Sequence, residues 1–316
     1  MTFLTSLSGE KIIAEVGKAI VGRREALELV LLSILSDGHI LIEDYPGLGK
    51  TLMAKSFAKV LGLDFKRIQF TSDLLPADIT GSYVLDRRTS EFVLRKGPIF
   101  SNLLLADEIN RAPPRTQSAL LEAMQERQVT IENETFRLSL PFITIATQNP
   151  IEYEGTYPLP EAQIDRFLVR IEVGYPTLEE EEEILRRRNE RKKEEVDLEQ
   201  VSTSEEILEM QKEVETIHVE PSVQRYMVDI VRRTRVHKDV EVGCSPRGSL
   251  ALLKLSKARA WLSGREFVIP DDVKSVAKPA LAHRIILKPE HWLRGGKATT
   301  VVEQVLSEVP VPKVSQ

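Results

Sequence analysis

One stretch near the amino terminus constrains the fold more than any other. The apolar run His39–Glu43 passes into a glycine-containing loop, Asp-Tyr-Pro-Gly-Leu-Gly-Lys-Thr over residues 44–51, and then into a helical pattern. In a strand, loop and helix of this kind, exposed backbone N–H groups and the helix dipole attract phosphate. Lys50 would then reach the β- and γ-phosphates, and the Thr51 hydroxyl would bind Mg²⁺. The stretch predicts a nucleotide-binding loop within an α/β fold.

The loop departs from the pattern G-x-x-x-x-G-K-[ST] at its first position, where the chain has Asp44 instead of Gly. A carboxylate beside polyphosphate is repulsive unless it points away, so a plain turn after a buried strand stays open as the alternative. Gly47 and Gly49 favour phosphate binding, because they allow torsions and close approaches that a Cβ would obstruct. The residues expected to contact the nucleotide here are Pro46, Gly47, Leu48, Gly49, Lys50, Thr51 and Leu52.

Short apolar runs alternate with helical patterns in the first half of the chain, which predicts a mostly parallel, five-stranded sheet covered by helices. The runs are His39–Glu43, Phe65–Phe70, Asn102–Asp107, Pro141–Thr147 and Leu168–Val173. Two further pairs of short runs are typical of hairpins: Ser82–Leu85 with Phe92–Leu94, and Val129–Ile131 with Phe136–Leu140. The helical pattern that precedes Gly38 is expected to end there in the left-handed conformation.

The texture changes after Tyr175-Pro176, where charged helical patterns replace the β-branched runs. We therefore predict an α/β nucleotide-binding domain over residues 1–175 and an all-α second domain over residues 176–316. The helical patterns of the second domain are Leu178–Lys193, Ser204–Ile217, Ser222–Arg235, Arg247–Leu262 and Asp271–His283.

Polar residues end two of the predicted strands. The third run ends in Asp107-Glu108, and at a sheet edge beside the phosphate loop Asp107 would hold Mg²⁺ while Glu108 orients and polarises the attacking water. The fourth run is followed by Gln148-Asn149-Pro150, and an amide there can hydrogen-bond both the γ-phosphate and the water. Each ending, taken alone, is an ordinary strand termination. The phosphate loop upstream favours the catalytic interpretation.

Composition excludes several other classes of protein. The chain has 43 Lys+Arg against 48 Asp+Glu, a net charge of −5, so a large nucleic-acid footprint is not expected. The longest apolar-rich run, Leu29–Leu35, is far shorter than the ~18 residues of a membrane span, and the amino terminus has no secretory pattern. A single cysteine, Cys244, excludes an internal disulfide. We expect a cytoplasmic protein without a transmembrane segment.

Several sequence segments, taken in order, resemble those of MoxR-type AAA+ ATPases over roughly residues 15–290. Besides the loop and the strand endings, the resemblance includes Arg166, before the fifth apolar run, and Arg247, in a Ser-Pro-Arg turn that opens a helix of the second domain. The longer phrases that carry it are Ile68–Pro76, Asp107–Pro114, Ala146–Pro150 and Pro160–Phe167.

The resemblance implies a three-layer P-loop AAA+ domain with a five-stranded parallel sheet, followed by an all-α lid, and ATP with Mg²⁺ as the ligands. It implies that Asn149 is sensor 1, that Arg247 is sensor 2 on the lid, and that Val21-Gly22 flanks adenine. Arg166 would be an arginine finger acting on a neighbouring subunit, which implies a ring, typically a hexamer. The departures are Asp44 and Gly49, the latter where many relatives have Ala.

Members of this family are regarded as chaperone-like ATPases that mature other complexes, often with partners that carry a von Willebrand factor A domain. Two insertions matching Gly81–Gly97 and Val129–Leu138 are expected to face a central pore or a client. Two alternatives remain: a nucleotide-gated scaffold with incidental turnover, and a DNA-remodelling motor. The acidic tip Glu132–Glu134 is unfavourable for the motor, because an anionic strand would be repelled.

Overall fold

The structure, a computed structural model, describes residues 4–150 and 155–312. The strands are β1 (Ile40–Glu43), β2 (Phe65–Gln69), β3 (Gly81–Asp86), β4 (Glu91–Lys96), β5 (Leu103–Asp107), β6 (Gln128–Ile131), β7 (Glu134–Arg137), β8 (Ile143–Gln148), β9 (Val169–Ile171), β10 (Val240–Val242) and β11 (Ile286–Leu287). The helices are α1 (Leu4–Gly17), α2 (Arg24–Leu35), α3 (Lys50–Val60), α4 (Pro76–Thr80), α5 (Pro114–Glu126), α6 (Glu161–Ile164), α7 (Leu178–Arg191), α8 (Ser204–Thr216), α9 (Pro221–Arg235), α10 (Pro246–Leu262), α11 (Pro270–Leu281), α12 (Pro289–Leu293) and α13 (Ala298–Glu308).

The predicted five-stranded parallel sheet is confirmed, with strand order β2-β5-β8-β1-β9. Helices cover both faces, so β5 is buried along its whole length and β8 up to its last residue. This double burial explains why these strands are nearly continuous apolar runs rather than alternating ones. Because all five strands are parallel, the segments that follow β1, β5 and β8 meet at one edge of the sheet.

Helix α2 ends differently from the prediction. Asp37, not Gly38, takes the left-handed conformation, with φ 47°. Gly38 is needed for space instead, because a Cβ there would lie 2.2 Å from the Leu168 Cδ2 atom. The glycine therefore allows close packing of this turn against the segment that leads into β9.

Both predicted hairpins are confirmed. Strands β3 and β4 pair antiparallel with Leu85 opposite Phe92, and β6 and β7 pair with Ile131 opposite Glu134. Leu85 is 53% exposed and Phe92 is 71% exposed, so the first hairpin presents an apolar pair near its tip.

The lid is mainly helical, as predicted, and it also contains a short antiparallel sheet of β10 and β11. Residues of α2 and of α10 belong to one buried cluster, so the apolar core continues from the α/β part into the lid. The domain boundary near residue 175 stays a prediction. Within the described ranges, no helix combines the length and the apolarity that a bilayer span requires.

Three potentially reactive side chains are buried in this core. The His39 ring contacts the backbone of α5 and of β8, since its Nε2 lies 2.9 Å from the Met124 carbonyl and its Nδ1 accepts from the Thr144 N–H at 3.0 Å. Burial lowers the pKa of His39 to about 3, lowers that of His283 well below its usual range, and raises that of the Cys244 thiol to about 11. We therefore assign these three buried side chains to the packing of the core rather than to catalysis.

Candidate nucleotide and catalytic site

The phosphate loop has the geometry that its glycines predicted. Gly47 and Gly49 have φ of 83° and 78°, in the left-handed region that favours glycine, and a Cβ at either position would meet no atom within 4 Å. Helix α3 starts at Lys50, within the loop sequence, and its N-cap residue is Gly49, which has no side chain to bond the first N–H groups. The Lys50 Nζ donates to the Asp44 carbonyl at 2.6 Å, so its ammonium lies across the loop. The loop therefore surrounds open space with backbone N–H groups and one cation.

Asp44 does not face this space. The residue is 5% exposed, and its carboxylate accepts hydrogen bonds from the backbone N–H of Tyr45 at 2.8 Å and of Gly174 at 2.5 Å. Its charge is thus directed at the connection between β9 and α7. The two neighbouring rings, Tyr45 and Tyr175, stack with centroids 5.5 Å apart. The repulsion expected from a carboxylate in the loop does not arise.

The segment predicted to flank adenine is attached to the same connection. Gly22 has φ 65°, and a Cβ there would lie 2.0 Å from the Glu180 Oε1 atom. Next to it, Arg23 forms an ion pair with Glu180 at 3.2 Å and donates to the Gly174 carbonyl at 3.0 Å. Val21 is half-buried beside this pair. A cleft of about 450 Å³ opens between the first turn of α2, the end of β9 and α11.

The two predicted acids lie together at the carboxyl edge of the sheet. The Thr147 hydroxyl donates to Asp107 Oδ1 at 2.5 Å and accepts from the Glu108 N–H at 2.8 Å, so one side chain of β8 fixes both residues. Glu108 has φ 57° and ψ 50°, a left-handed conformation that costs a non-glycine residue about 1–3 kcal/mol. Such strain persists only where the surroundings impose it, and here it turns the Glu108 side chain sharply off the end of β5.

Sequence reasoning missed three residues that hold these acids. Arg67 forms an ion pair with Asp107 at 2.6 Å, Gln69 donates to Glu108 Oε2 at 2.6 Å, and the Arg111 Nε lies 3.0 Å from the same oxygen. The register of β2 against β5, which places Gln69 beside Asp107, brings Arg67 and Gln69 to the acids, whereas Arg111 follows Glu108 by three residues. The run 65–69, Phe-Lys-Arg-Ile-Gln, shows that polar residues occur in this strand but does not show which of them meets the acids.

The amides after β8 lie at the same edge. Asn149 is 5% exposed and directly follows Gln148, whose Nε2 donates to Glu43 Oε1 at 3.0 Å. Glu43 ends β1, and β8 lies between β1 and β5. The structure therefore places Asn149 between the strand that leads into the phosphate loop and the strand that carries the acids.

Arg166 and Arg247 lie at the opposite edge of the sheet. Arg166 precedes β9, where the Leu168 N–H donates to the His39 carbonyl at 2.8 Å just before β1 begins. Five residue steps of β1 separate this level from Asp44, about 16 Å at the usual rise of a strand. The Arg247 Nε lies 3.9 Å from the carboxylate of Asp165. The predicted site residues thus form two groups, one at each edge.

A cleft of about 350 Å³ opens beside the two arginines. Its charged lining residues are Asp37, Arg127, Asp165, Arg166, Arg247, Lys254 and Arg284. Basic groups outnumber acidic ones, so this edge of the molecule suits an anionic ligand. The carboxyl edge instead carries acids beside a phosphate loop, and the two edges are chemically complementary.

Comparison with known proteins agrees with this architecture. The family described as "ATPase family associated with various cellular activities (AAA)" matches residues 39–169, and the AAA lid domain matches residues 232–305. Chaperone MoxR1 of Mycobacterium tuberculosis is 42% identical over 97% of this chain and 83% of its own length. Protein MoxR of Methylorubrum extorquens is 30% identical over 94% and 93%. The chain belongs to the MoxR family of AAA+ ATPases.

A further relative and a solved structure are similar to this chain over nearly its whole length. An uncharacterised protein, YeaC of Bacillus subtilis, is 48% identical over 96% of this chain and 94% of its own. A crystal structure of a protein from Cytophaga hutchinsonii, described as a candidate ATPase, superposes with a TM-score of 0.93 at 40% identity, covering 99% of this chain and 97% of that one. These matches support the fold, including the lid, along its full length.

Proposed function

We propose that this MoxR-family protein hydrolyses ATP at a site shared between neighbouring subunits of a ring, and that the turnover remodels protein complexes. The observation that carries the proposal is the division of the predicted site into two groups at opposite edges of the sheet. The edge with Lys50 and Glu108 binds and cleaves the nucleotide. The edge with Arg166 and Arg247 cannot serve that same nucleotide across the depth of β1, so it serves the nucleotide of the next subunit.

The residues at the carboxyl edge of the sheet suit the binding and the cleavage of ATP. The loop N–H groups and Lys50 bind the phosphates, Glu108 orients and polarises the attacking water, and Asn149 donates to the γ-phosphate or to that water. Thr51 and Asp107 offer the hard oxygen ligands that Mg²⁺ prefers, and a bound Mg²⁺ would neutralise charge on the β- and γ-phosphates. We expect Val21 and Gly22, with Pro46, Leu48 and Leu52, to contact the rest of the nucleotide.

The second edge, which carries Arg166 and Arg247, would supply positive charge to the nucleotide of the neighbouring subunit. Arginine fingers contribute about 10³–10⁵ to the rate of phosphoryl transfer, because they stabilise the charge on the transferring group. Among the residues that the structure describes, the Arg166 side chain donates to a backbone carbonyl, that of Leu121 at 3.0 Å. A phosphate that replaces this contact therefore breaks no ion pair within the described part of the chain. We infer that Arg247, held beside it, acts with Arg166 on the same neighbouring nucleotide.

The client side of the proposal rests on the hairpins. The exposed pair of Leu85 and Phe92 extends an apolar strip that begins at the partly buried Tyr83 and Leu94, a feature typical of contact surfaces. We propose that a client complex, or a partner with a von Willebrand factor A domain, contacts this hairpin. A cytoplasmic location stays a prediction.

Four variants test the shared site. Lys50→Ala should lose ATP binding, and Glu108→Gln should bind ATP without turnover. Arg166→Ala should bind ATP and hydrolyse it at least about 10³-fold more slowly. Arg225→Ala is the matched control, because Arg225 lies on an exposed face of α9 with a side chain 72% exposed, and it should leave turnover unchanged.

Mixing two inactive variants distinguishes the shared site from one contained within a single subunit. In a mixed ring, an Arg166→Ala subunit keeps Glu108 and receives a finger from its Glu108→Gln neighbour, so phosphate release should recover. No recovery at any mixing ratio would refute the shared site. Nucleotide-dependent assembly with no measurable hydrolysis in the unaltered protein would instead favour a scaffold.

A further inference from the structure

We propose that Asp165 is a positioning residue that holds Arg166 and Arg247 together as one unit across the junction between the α/β domain and the lid. The inference rests on the proposed function, since it concerns how the second edge is presented to a neighbouring nucleotide. It assigns a role to a carboxylate that touches neither nucleotide.

Three groups of the lid converge on this one carboxylate. The Ser245 hydroxyl lies 3.0 Å and 3.3 Å from its two oxygens, the Arg284 Nε lies 3.0 Å from Oδ1, and the Arg247 Nε lies 3.9 Å from Oδ2. The Asp165 side chain is 20% exposed, so these contacts are only partly open to water. Asp165 directly precedes Arg166 in the chain. Its position therefore couples the lid to the backbone that carries the proposed finger.

The contact with Ser245 fixes the helix that carries Arg247. Ser245 is the N-cap of α10, and while its hydroxyl donates to Asp165, the same oxygen accepts from the Arg247 N–H at 3.2 Å. The negative charge of Asp165 also interacts favourably with the positive amino-terminal end of the helix dipole. The first turn of α10 is thus oriented by Asp165 through hydrogen bonding and through charge.

The contact with Arg284 fixes the other side of the unit. The Arg284 side chain is 3% exposed, and it donates to the carbonyls of Phe167 at 2.7 Å and Leu168 at 3.3 Å, directly after Arg166. Burial disfavours the charged guanidinium and lowers the pKa of Arg284, and the charge of Asp165 opposes that shift. Removing the carboxylate would leave a buried cation without this compensation, which is strongly unfavourable.

Asp165 lies at the amino edge of the sheet and the phosphate loop at the carboxyl edge. A change at Asp165 should therefore impair what the subunit gives to its neighbour and spare its own nucleotide binding. A general loss of folding would impair both. This difference separates a positioning role from a merely structural one.

The experiment uses Asp165→Asn in the full-length chain, with Asp271→Asn as matched control, because Asp271 is an exposed acid of the lid. We expect ATP hydrolysis by Asp165→Asn to fall at least tenfold, while its affinity for a fluorescent ATP analogue stays within twofold of the unaltered protein. Mixing with Glu108→Gln subunits should restore turnover. Mixing with Arg166→Ala subunits should not, because neither variant supplies an intact second edge.

A second variant keeps the test decisive if Asp165→Asn does not fold. Ser245→Gly removes the bridging hydroxyl, and glycine is tolerated at an N-cap. It should show the same pattern of rescue with a smaller loss, about threefold or more. Unchanged turnover in either folded variant, or a lack of rescue by Glu108→Gln where Arg166→Ala is rescued, would overturn the inference. If Arg166→Ala is not rescued either, the shared site itself is refuted and the inference falls with it.

Discussion

Replacing Asp44 by glycine tests whether the departure from the phosphate-loop pattern is structural. The substitution supplies the residue that the pattern has, so a purely sequence-based argument expects a better loop. The structure predicts the opposite. Asp44 is not among the residues with positive φ, so glycine relieves no strain there, and the carboxylate that joins the loop to Gly174 is lost.

The expected cost follows from the two hydrogen bonds. A bond from a backbone N–H to a charged acceptor is worth about 1.5–3 kcal/mol, and we take the lower end because Gly174 is only half-buried. The Tyr45 N–H lies beside an exposed side chain and can bond to water instead, so it adds little. Glycine adds about 0.5–1 kcal/mol of backbone entropy, which gives a total of about 2–2.5 kcal/mol.

Hydrogen–deuterium exchange measures this cost where it arises. Local opening of the connection after β9 should become about 30- to 60-fold more frequent, since about 1.4 kcal/mol corresponds to a factor of ten. Asp44→Asn keeps one acceptor oxygen and should lie between the unaltered protein and Asp44→Gly. Equal or greater protection of residues 173–176 in Asp44→Gly would refute the reasoning.

Three further predictions follow from burial and exposure. The pKa of His39 is about 3 in the folded chain and about 6.5 in the unfolded chain. Below pH 6.5 the unfolded state therefore binds one more proton than the folded state. The free energy of unfolding should fall by about 1.4 kcal/mol per pH unit down to about pH 3. Urea unfolding at pH 7 and pH 5 should show a loss of about 2 kcal/mol from this residue that His39→Gln removes; an unchanged difference in the variant would contradict it. Iodoacetamide should label Cys244, whose pKa is about 11, only after unfolding, and rapid native labelling would show an accessible thiol. Phe92→Ser should change stability by less than about 0.5 kcal/mol and leave basal hydrolysis intact, and a larger loss would place Phe92 in the core.

The central strands could be located from sequence because both of their faces are buried. That burial demands apolar residues without interruption, so Leu103–Ala106 and Ile143–Ala146 identify themselves. The lid helices could be bounded closely for a local reason as well: Thr177 and Thr203 each form a capping box with the glutamate three residues later. The strands β10 and β11 could not be predicted, since three and two residues are too few to show a period.

The candidate site was predictable only where local sequence determines it. Lys50 and Asp107 follow directly from a loop and from a strand end, but the partners of the acids depend on how β2 pairs with β5. Nothing in the run 65–69 indicates that Arg67 will meet Asp107. The placement of Arg247 depends on how the lid docks, which no periodicity reports. Contacts of this kind are set by packing between elements far apart in the chain.

The strand β9 lies between the phosphate loop and the edge that carries Arg166. At its carboxyl end, Gly174 bonds to Asp44 of the phosphate loop and to Arg23 beside the predicted adenine segment. At its amino end, Asp165 binds the lid and precedes Arg166. Fewer than ten residues thus join the nucleotide site of one subunit to the edge proposed to serve the next, and the middle of that link is a strand hydrogen-bonded to β1. A strand held in this way moves with β1 and the phosphate loop. Because this strand keeps its own pairing with β1, the loss of a side chain at either end should act locally. Changes at Asp44 should affect nucleotide binding in the same subunit, changes at Asp165 should affect the Arg166 that is presented to the next, and changes in the exposed hairpins should affect neither.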